Sequence, residues 1–396
     1  MSESKQNKIT FGPWPYFAQD EIDVCTKALQ QGKVNYWTGQ EAREFEKEFA
    51  KFCDMEYAIS LANGTVALEL ALYALGVGEG DEVIVTPRTF MASISCAVMQ
   101  GATPVFADID RDTQNTSLET IKKVVTPKTK AIICVHLAGW PCEMEEIMAF
   151  ANERGIFVIE DCAQAHGAMY KGKPVGSWGH IAAFSFCQDK IMTTAGEGGM
   201  LVVNDRELWT KAWAFKDHGK SFDTVYNKEH PPGFRWLHES FGTNWRISEM
   251  HAAVGRRQLA KLPEWLKIRR RNANMLRDCF KAFSCLRVPE IPGHIEHANY
   301  KYYAFVETSQ LKEGWSRDKI MAAINEKGVP CYSGSCSEVY LEKAFDGTGF
   351  RPETRLPVAK ELGETSLMFL VHPTIEEDAM RQACEVIRSV LAEANA

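Results

Sequence analysis

The sequence has no C-x-x-C pair, although twelve cysteines are spread over its 396 residues. Without that spacing, zinc ribbons and dithiol redox motifs are excluded. Several cysteines sit inside apolar runs such as "AIICVHL", where a thiol acts as a small apolar residue in a reducing compartment. His238-Glu239 is not followed by the second histidine of H-E-x-x-H, so no metal is expected. Positive charge is not in excess: the net charge is −7, which argues against a nucleic-acid partner. The one basic cluster, "KIRRRNANMLR" (267–277), has apolar positions at helical spacing and reads as a solvated helix face. No apolar stretch reaches the length of a membrane span. The opening "MSESKQNKIT" lacks the apolar core of a leader, so a cytoplasmic protein without a membrane partner is expected.

What is present is an ordinary globular mixture, 45% hydrophobic and 24% charged. From about residue 55, short apolar runs alternate with helical patterns. "EYAISLA" leads into "NGTVALELALYALGVG", which has a cap at Asn63, apolar residues at helical spacing and a glycine stop. "EVIVT", "PVFADI", "KAIICVHL", "IFVIEDC" and "IAAFSF" follow, with helix candidates between them. These runs are nearly continuous, not alternating, which suits a mostly parallel sheet buried on both faces. Ligands in such sheets sit beyond the carboxyl ends of the strands. After about residue 245, "RISEMHAAVGRRQLAKLPEWLKIRRRNANMLRDCFKAF" reads as a long helix interrupted near Pro263, followed by an α+β segment.

The strand ends therefore carry the candidate chemistry. Asn63-Gly64-Thr65 opens a helix whose first N–H groups and dipole form an anion site. "IFVIEDCAQAHG" ends a buried strand with two carboxylates, and one that stays ionised there needs a cationic partner. In "AAFSFCQDKIMTTAGEGGMLVV", Lys190 lies between two apolar runs, beside Gly196, Gly198 and Gly199. A P-loop would place its glycines before the lysine, which weakens a phosphate-clamp reading. A surface-loop lysine leaves the flanking apolar runs unexplained. A desolvated lysine that forms a covalent bond fits the order of strand, Ser185, lysine and glycine-rich turn.

Together "NGT", "TF", "EDCAQAHGA", "SFCQDKIMTTAGEGGM" and "GTNWRISEMHAA" resemble the DegT/DnrJ/StrS family of sugar aminotransferases, and the resemblance covers almost the whole chain. It implies an α/β protein of the fold type I aminotransferase class. A large domain (1–263, with an N-terminal arm) would hold a mostly parallel seven-stranded sheet between helices, and a smaller α+β domain would span 264–396. It implies pyridoxal 5′-phosphate as cofactor, with pyridoxamine 5′-phosphate as intermediate. Lys190 matches the Schiff-base lysine, Asp161 the partner of the pyridine nitrogen, Gln164 a neighbour of the ring hydroxyl, and Phe90 the stacking aromatic. Gly64, Thr65 and Ser185 match the phosphate cup. Asn244 matches an asparagine reaching the phosphate from a second subunit, so a homodimer with shared active sites is implied. The donor implied is L-glutamate, and the acceptor is a keto or aldehyde sugar, typically nucleotide-linked.

Asn63 and the triplet Thr86-Pro87-Arg88 depart from the family pattern and bear on substrate preference. Substrate contacts are less defined. Trp37, within the aromatic "VNYWTGQ", reads mainly as packing; His136, Trp140, His218, Arg246, Tyr332 and His372 are further candidates. Two other readings compete. A sugar dehydratase of the same family would carry histidine in place of Lys190. A non-catalytic regulator would have no need of Lys190, Asp161 and the phosphate cup together.

Overall fold

The apolar runs at the strand positions pair into one sheet in this computed structural model, which describes residue 9 and residues 11–396. Residue 9 apart, the leader reading at the N-terminus lies outside the described residues. The strands are β1 (Tyr57–Leu61), β2 (Glu82–Val85), β3 (Thr103–Phe106), β4 (Thr129–Val135), β5 (Phe157–Asp161), β6 (Ile181–Ser185) and β7 (Gly199–Val203). The sheet is seven-stranded, in the order β1-β7-β6-β5-β4-β2-β3. Only β7 runs antiparallel to its neighbours.

The continuous apolar runs follow from burial on two faces. Successive side chains of a strand point to opposite sides. On β4, Ala131, Ile133 and Val135 join one core cluster, while Ile132 and Cys134 join another. On β7, Leu201 and Val203 enter the first cluster, and Met200 and Val202 a third. Helix α1 (Gly64–Leu75) covers the first face. The Asn63 side chain accepts from the Val66 N–H at 3.0 Å, and Gly76 ends the helix at φ 71°. These are the cap and stop expected from the sequence. All twelve cysteines are free thiols, and all but Cys25, Cys187 and Cys336 are buried.

The C-terminal segment builds a four-stranded antiparallel sheet from β8 (Leu286–Arg287), β9 (Tyr302–Val306), β10 (Cys331–Tyr332) and β11 (Ser366–Phe369). It packs in its own core with the helix Glu377–Ala394. The long helix departs from expectation. It runs unbroken from Glu249 to Phe280, with Pro263 inside. Pro263 is exposed, so the carbonyl it leaves without a partner can be served by water. The boundary read at 263/264 therefore falls within a helix. Leu262 and Leu266 belong to a core of the large sheet, and Ala273, Leu276 and Phe280 to that of the small one. The N-terminal arm also serves both parts: Phe11 packs on the small core, and the Trp14 ring lies 5.2 Å from that of Trp265. The basic cluster on this helix is not wholly a solvated face, because Arg269 is only 1% exposed.

Candidate active site

The carboxyl ends of β1, β5 and β6 converge on one cavity of about 620 Å³. Gly64, Thr65, Phe90, Asp161, Gln164, Ser185 and Lys190 all line it. One end is the N-terminus of α1, where unpaired N–H groups and the helix dipole favour an anion. The backbones are pressed together here. A Cβ on Gly64 would come within 2.5 Å of the Ser185 Cβ, and one on Gly199 within 2.3 Å of the Asn63 carbonyl oxygen. Glycine is thus required for strand and helix to approach. Gly196, in the turn after Lys190, has φ 117°, which few side chains tolerate.

At the other end Asp161 is 5% exposed. Its Oδ2 accepts from the Ser93 hydroxyl at 2.7 Å and its Oδ1 from the Ala163 N–H at 3.1 Å. Burial pushes its carboxyl above the usual range, against the pull of those two donors and of the Lys190 charge. Such a carboxylate suits a cationic ligand atom. The Gln164 carboxamide oxygen accepts from the Ala138 N–H at 2.8 Å, which leaves its NH₂ as a donor. The Phe90 ring is 71% exposed on the cavity wall, an apolar face ready to stack. An anion seat, a buried carboxylate, an uncovered aromatic ring and an amine in one cavity fit a flat, phosphorylated, cationic heterocycle such as pyridoxal 5′-phosphate.

Lys190 Nζ lies 3.4 Å from Asp189 Oδ1, and the Tyr300 hydroxyl donates to Asp189 Oδ2. Burial would raise the Asp189 carboxyl, but the Lys190 charge, Tyr300 and Lys301 bring it below its ordinary value. From the N-terminal arm, the Trp14 indole N–H donates to the Lys190 carbonyl at 3.0 Å. Sequence reasoning missed Ser93, Asp189, Tyr300 and the contact between Trp14 and Lys190. Ser93 lies just beyond "TF", and Asp189 adjoins the lysine, so proximity to a motif was a signal for both. The contact of Trp14 with Lys190 spans 176 residues and had no local signal.

The substrate candidates divide. Tyr332 lines an adjoining cavity of about 700 Å³ that shares Phe90, Gln164 and Lys190 with the first. His136 does not reach either cavity. It is fully buried, with Nε2 donating to Glu160 at 2.9 Å and Nδ1 accepting from the Cys142 N–H at 3.0 Å, so it is a core residue. Trp37 packs edge-on to Trp213, with ring centroids 6.1 Å apart, and lines neither cavity. Arg246 is bound to the buried Asp217 at 2.5 Å. Asn244 is exposed on the segment that bridges Asp217, outside both cavities. Of the others, Trp140 is buried against His297, and His372 stacks on Trp14. Arg88 is buried too. It donates to Gln114 at 2.9 Å and to Ser366 of β11 at 3.1 Å, and so ties the turn after β3 to the small sheet.

A family model for the DegT/DnrJ/EryC1/StrS aminotransferase family matches residues 15–388. A GDP-perosamine synthase from Escherichia coli O157:H7 is 36% identical over 349 residues, 88% of this chain and 90% of that protein. A UDP-N-acetyl-3-dehydro-alpha-D-glucosamine 3-aminotransferase from Acidithiobacillus ferrooxidans is 36% identical over 358 residues, 90% of each chain. The X-ray structure of an aminotransferase from Psychrobacter cryohalolentis aligns with a TM-score of 0.96 at 58% identity, covering 97% of this chain and 99% of that one.

Proposed function

The chain belongs to the DegT/DnrJ/EryC1/StrS aminotransferase family, and from that premise we propose the substrates and residue roles that follow. It is a pyridoxal-phosphate-dependent aminotransferase of amino-sugar biosynthesis. The acceptor we propose is a nucleotide-linked keto sugar; a GDP-linked sugar in the name of one relative and a UDP-linked 3-dehydro sugar in that of another support it. The proposed donor is L-glutamate.

One observation carries the residue roles: Lys190, Asp161 and the α1 N-terminus face a single cavity. The cofactor, when bound, supplies an electron sink for charge that develops on the donor carbon. Asp161 would face the ring nitrogen and keep its proton in place. Gly64, Thr65, Ser185 and the first N–H groups of α1 would hold the phosphate. Phe90 would cover a ring face, and the Gln164 NH₂ would donate to the ring hydroxyl. Lys190 would hold the cofactor covalently. Once released, its Nζ would take the proton from the donor Cα and return it on the acceptor side. Tyr332 would line the acceptor's path.

A homodimer in which Asn244 of one copy reaches the other's phosphate seat is part of the same reading; exposure of Asn244 supports it. So is a division into two domains near 263/264, supported by the change of core along the long helix. Twelve uncrosslinked thiols suit a cytoplasmic setting. No helix among the described residues is long and apolar enough to cross a membrane.

The test is a pair of half-reactions. The purified protein should carry a visible absorbance band that L-glutamate bleaches with release of 2-oxoglutarate, and a nucleotide-linked keto sugar should restore it. Lys190→Ala should abolish both changes. A band indifferent to every amino donor overturns the proposal.

A further inference from the structure

Two cations beside Lys190 have no use in these roles. Lys301, just before β9, lines the 700 Å³ cavity together with Lys190, Gln164 and Phe90. Its ammonium lies 4.8 Å from the centroid of the Tyr300 ring and makes no hydrogen bond or ion pair among the described residues. Arg269, on the long helix behind it, is buried. Its Nη1 donates to the carbonyls of Asn299 (3.3 Å) and Tyr300 (3.2 Å), while Nε and Nη2 have no partner among the described residues.

Lys301 has no carboxylate of its own. Asp189, whose charge it feels, is already held by Lys190 and the Tyr300 hydroxyl, and Glu342, on the wall of the same cavity, forms no ion pair with it. Burial, and then the Arg269 charge, pull Lys301 down to about 8; Asp189 resists and Lys190 adds to the fall. Burial pulls Arg269 down to about 9. A desolvated cation without a counter-charge is destabilising unless something else brings the anion. The cleft is open to substrate, so the missing charge can arrive with it.

We propose that Lys301 is a substrate-recognition residue whose ammonium binds an oxyanion in the cleft, with Arg269 reinforcing the field from behind. This rests on the aminotransferase reading above. Both substrates offer such a group: the donor has carboxylates and the acceptor has phosphates. Lys301 shares its cavity with Lys190, where the donor must react, which favours the carboxylate. A lysine serves either as a compact, flexible point charge.

The test measures binding directly. Glutarate and pyrophosphate are titrated separately by calorimetry into the holoenzyme and its Lys301→Met and Lys301→Arg variants. Lys301→Met should weaken glutarate roughly ten-fold or more, the scale of one charge-assisted hydrogen bond, and Lys301→Arg should recover most of the loss. KM for L-glutamate should rise in Lys301→Met while kcat changes little. If the loss falls on pyrophosphate instead, the oxyanion is the acceptor's phosphate and the proposal stands with that source. If a folded Lys301→Met binds both probes as the wild type does, the proposal is overturned. Should Lys301→Met not fold, Lys301→Gln takes its place under the same criteria. Failure of the aminotransferase reading would look different: wild-type protein whose visible band L-glutamate does not bleach.

Discussion

The Ser93 hydroxyl donates to Asp161 Oδ2 at 2.7 Å, so a residue at the start of one helix orients a carboxylate at the end of β5. Ser93 also contacts the Thr89 hydroxyl at 2.9 Å, which extends the chain of polar contacts to the "TF" turn. Asp161 is thus fixed in place while burial opposes its charge. Ionising that carboxyl carries a cost that a cationic ligand would offset.

This gives Asp161→Asn an unusual signature. Asp161's carboxyl sits above its ordinary value in the folded chain. Without cofactor, ionising it therefore costs stability as pH rises through that raised value. The cost is absent below the ordinary carboxylate range, where folded and unfolded chains are both protonated. The variant removes it. Cofactor-free Asp161→Asn should melt above cofactor-free wild type at neutral pH, converge with it toward acid, and bind pyridoxal phosphate far more weakly. Thermal melts across pH with cofactor titration check this; a variant that melts lower at neutral pH contradicts it.

The adjacent carboxylate should behave in the opposite way. Glu160 is fully buried, with Oε2 accepting from His136 Nε2 at 2.9 Å and the Gly176 N–H at 2.8 Å. Its Oε1 accepts from the Trp178 N–H at 2.8 Å and the Gly179 N–H at 2.7 Å. Burial would raise it, but His136 and these donors bring it below the ordinary value. Its stabilisation is therefore present above the ordinary carboxylate range and lost as pH falls through the lowered value. Glu160→Gln should cost about 3 kcal/mol at neutral pH, less in acid, because its NH₂ would meet donors. Urea unfolding at several pH values measures it. Equal stability of variant and wild type at neutral pH would count against the network.

The contact of Trp14 with Lys190 can be isolated by Trp14→Phe, which keeps an aromatic ring against Trp265 and removes the indole N–H. The expected loss is about 1 kcal/mol of stability, with faster release of pyridoxal phosphate as the lysine loop loosens. Cofactor release followed by absorbance after dilution is the readout. An unchanged release rate would reduce the indole to packing alone.

Much of this site was legible because its parts are local. A strand followed by Asn63-Gly64-Thr65, by Asp161 and Gln164, or by Ser185 and Lys190 carries its own signal, and a parallel sheet brings those strand ends to one edge. The unread parts depend on distant surfaces. Arg88 bore on substrate preference until its partners proved to be Gln114, in the turn after β3, and Ser366 of β11. His136 follows a strand as a ligand residue would, but it turns inward to Glu160. Pro263 suggested a break, yet a proline on the exposed side of a well-packed helix is tolerated. Arg269 read as one more solvated arginine because its depth is set by the 299–300 segment that folds over it.

The uninterrupted helix from Glu249 to Phe280 makes the two halves of the chain poor interchangeable modules. A chimera joined at 263 would splice two foreign half-helices. Their side chains must keep phase with the large-sheet core on one side of the joint and with the small-sheet core on the other. The arm complicates it further, since Phe11 packs on the distal core and Trp14 on Trp265. Redirecting the enzyme to another acceptor is therefore better approached by changing cleft residues within this scaffold. Exchange of the C-terminal part would have to carry the whole helix and the arm together.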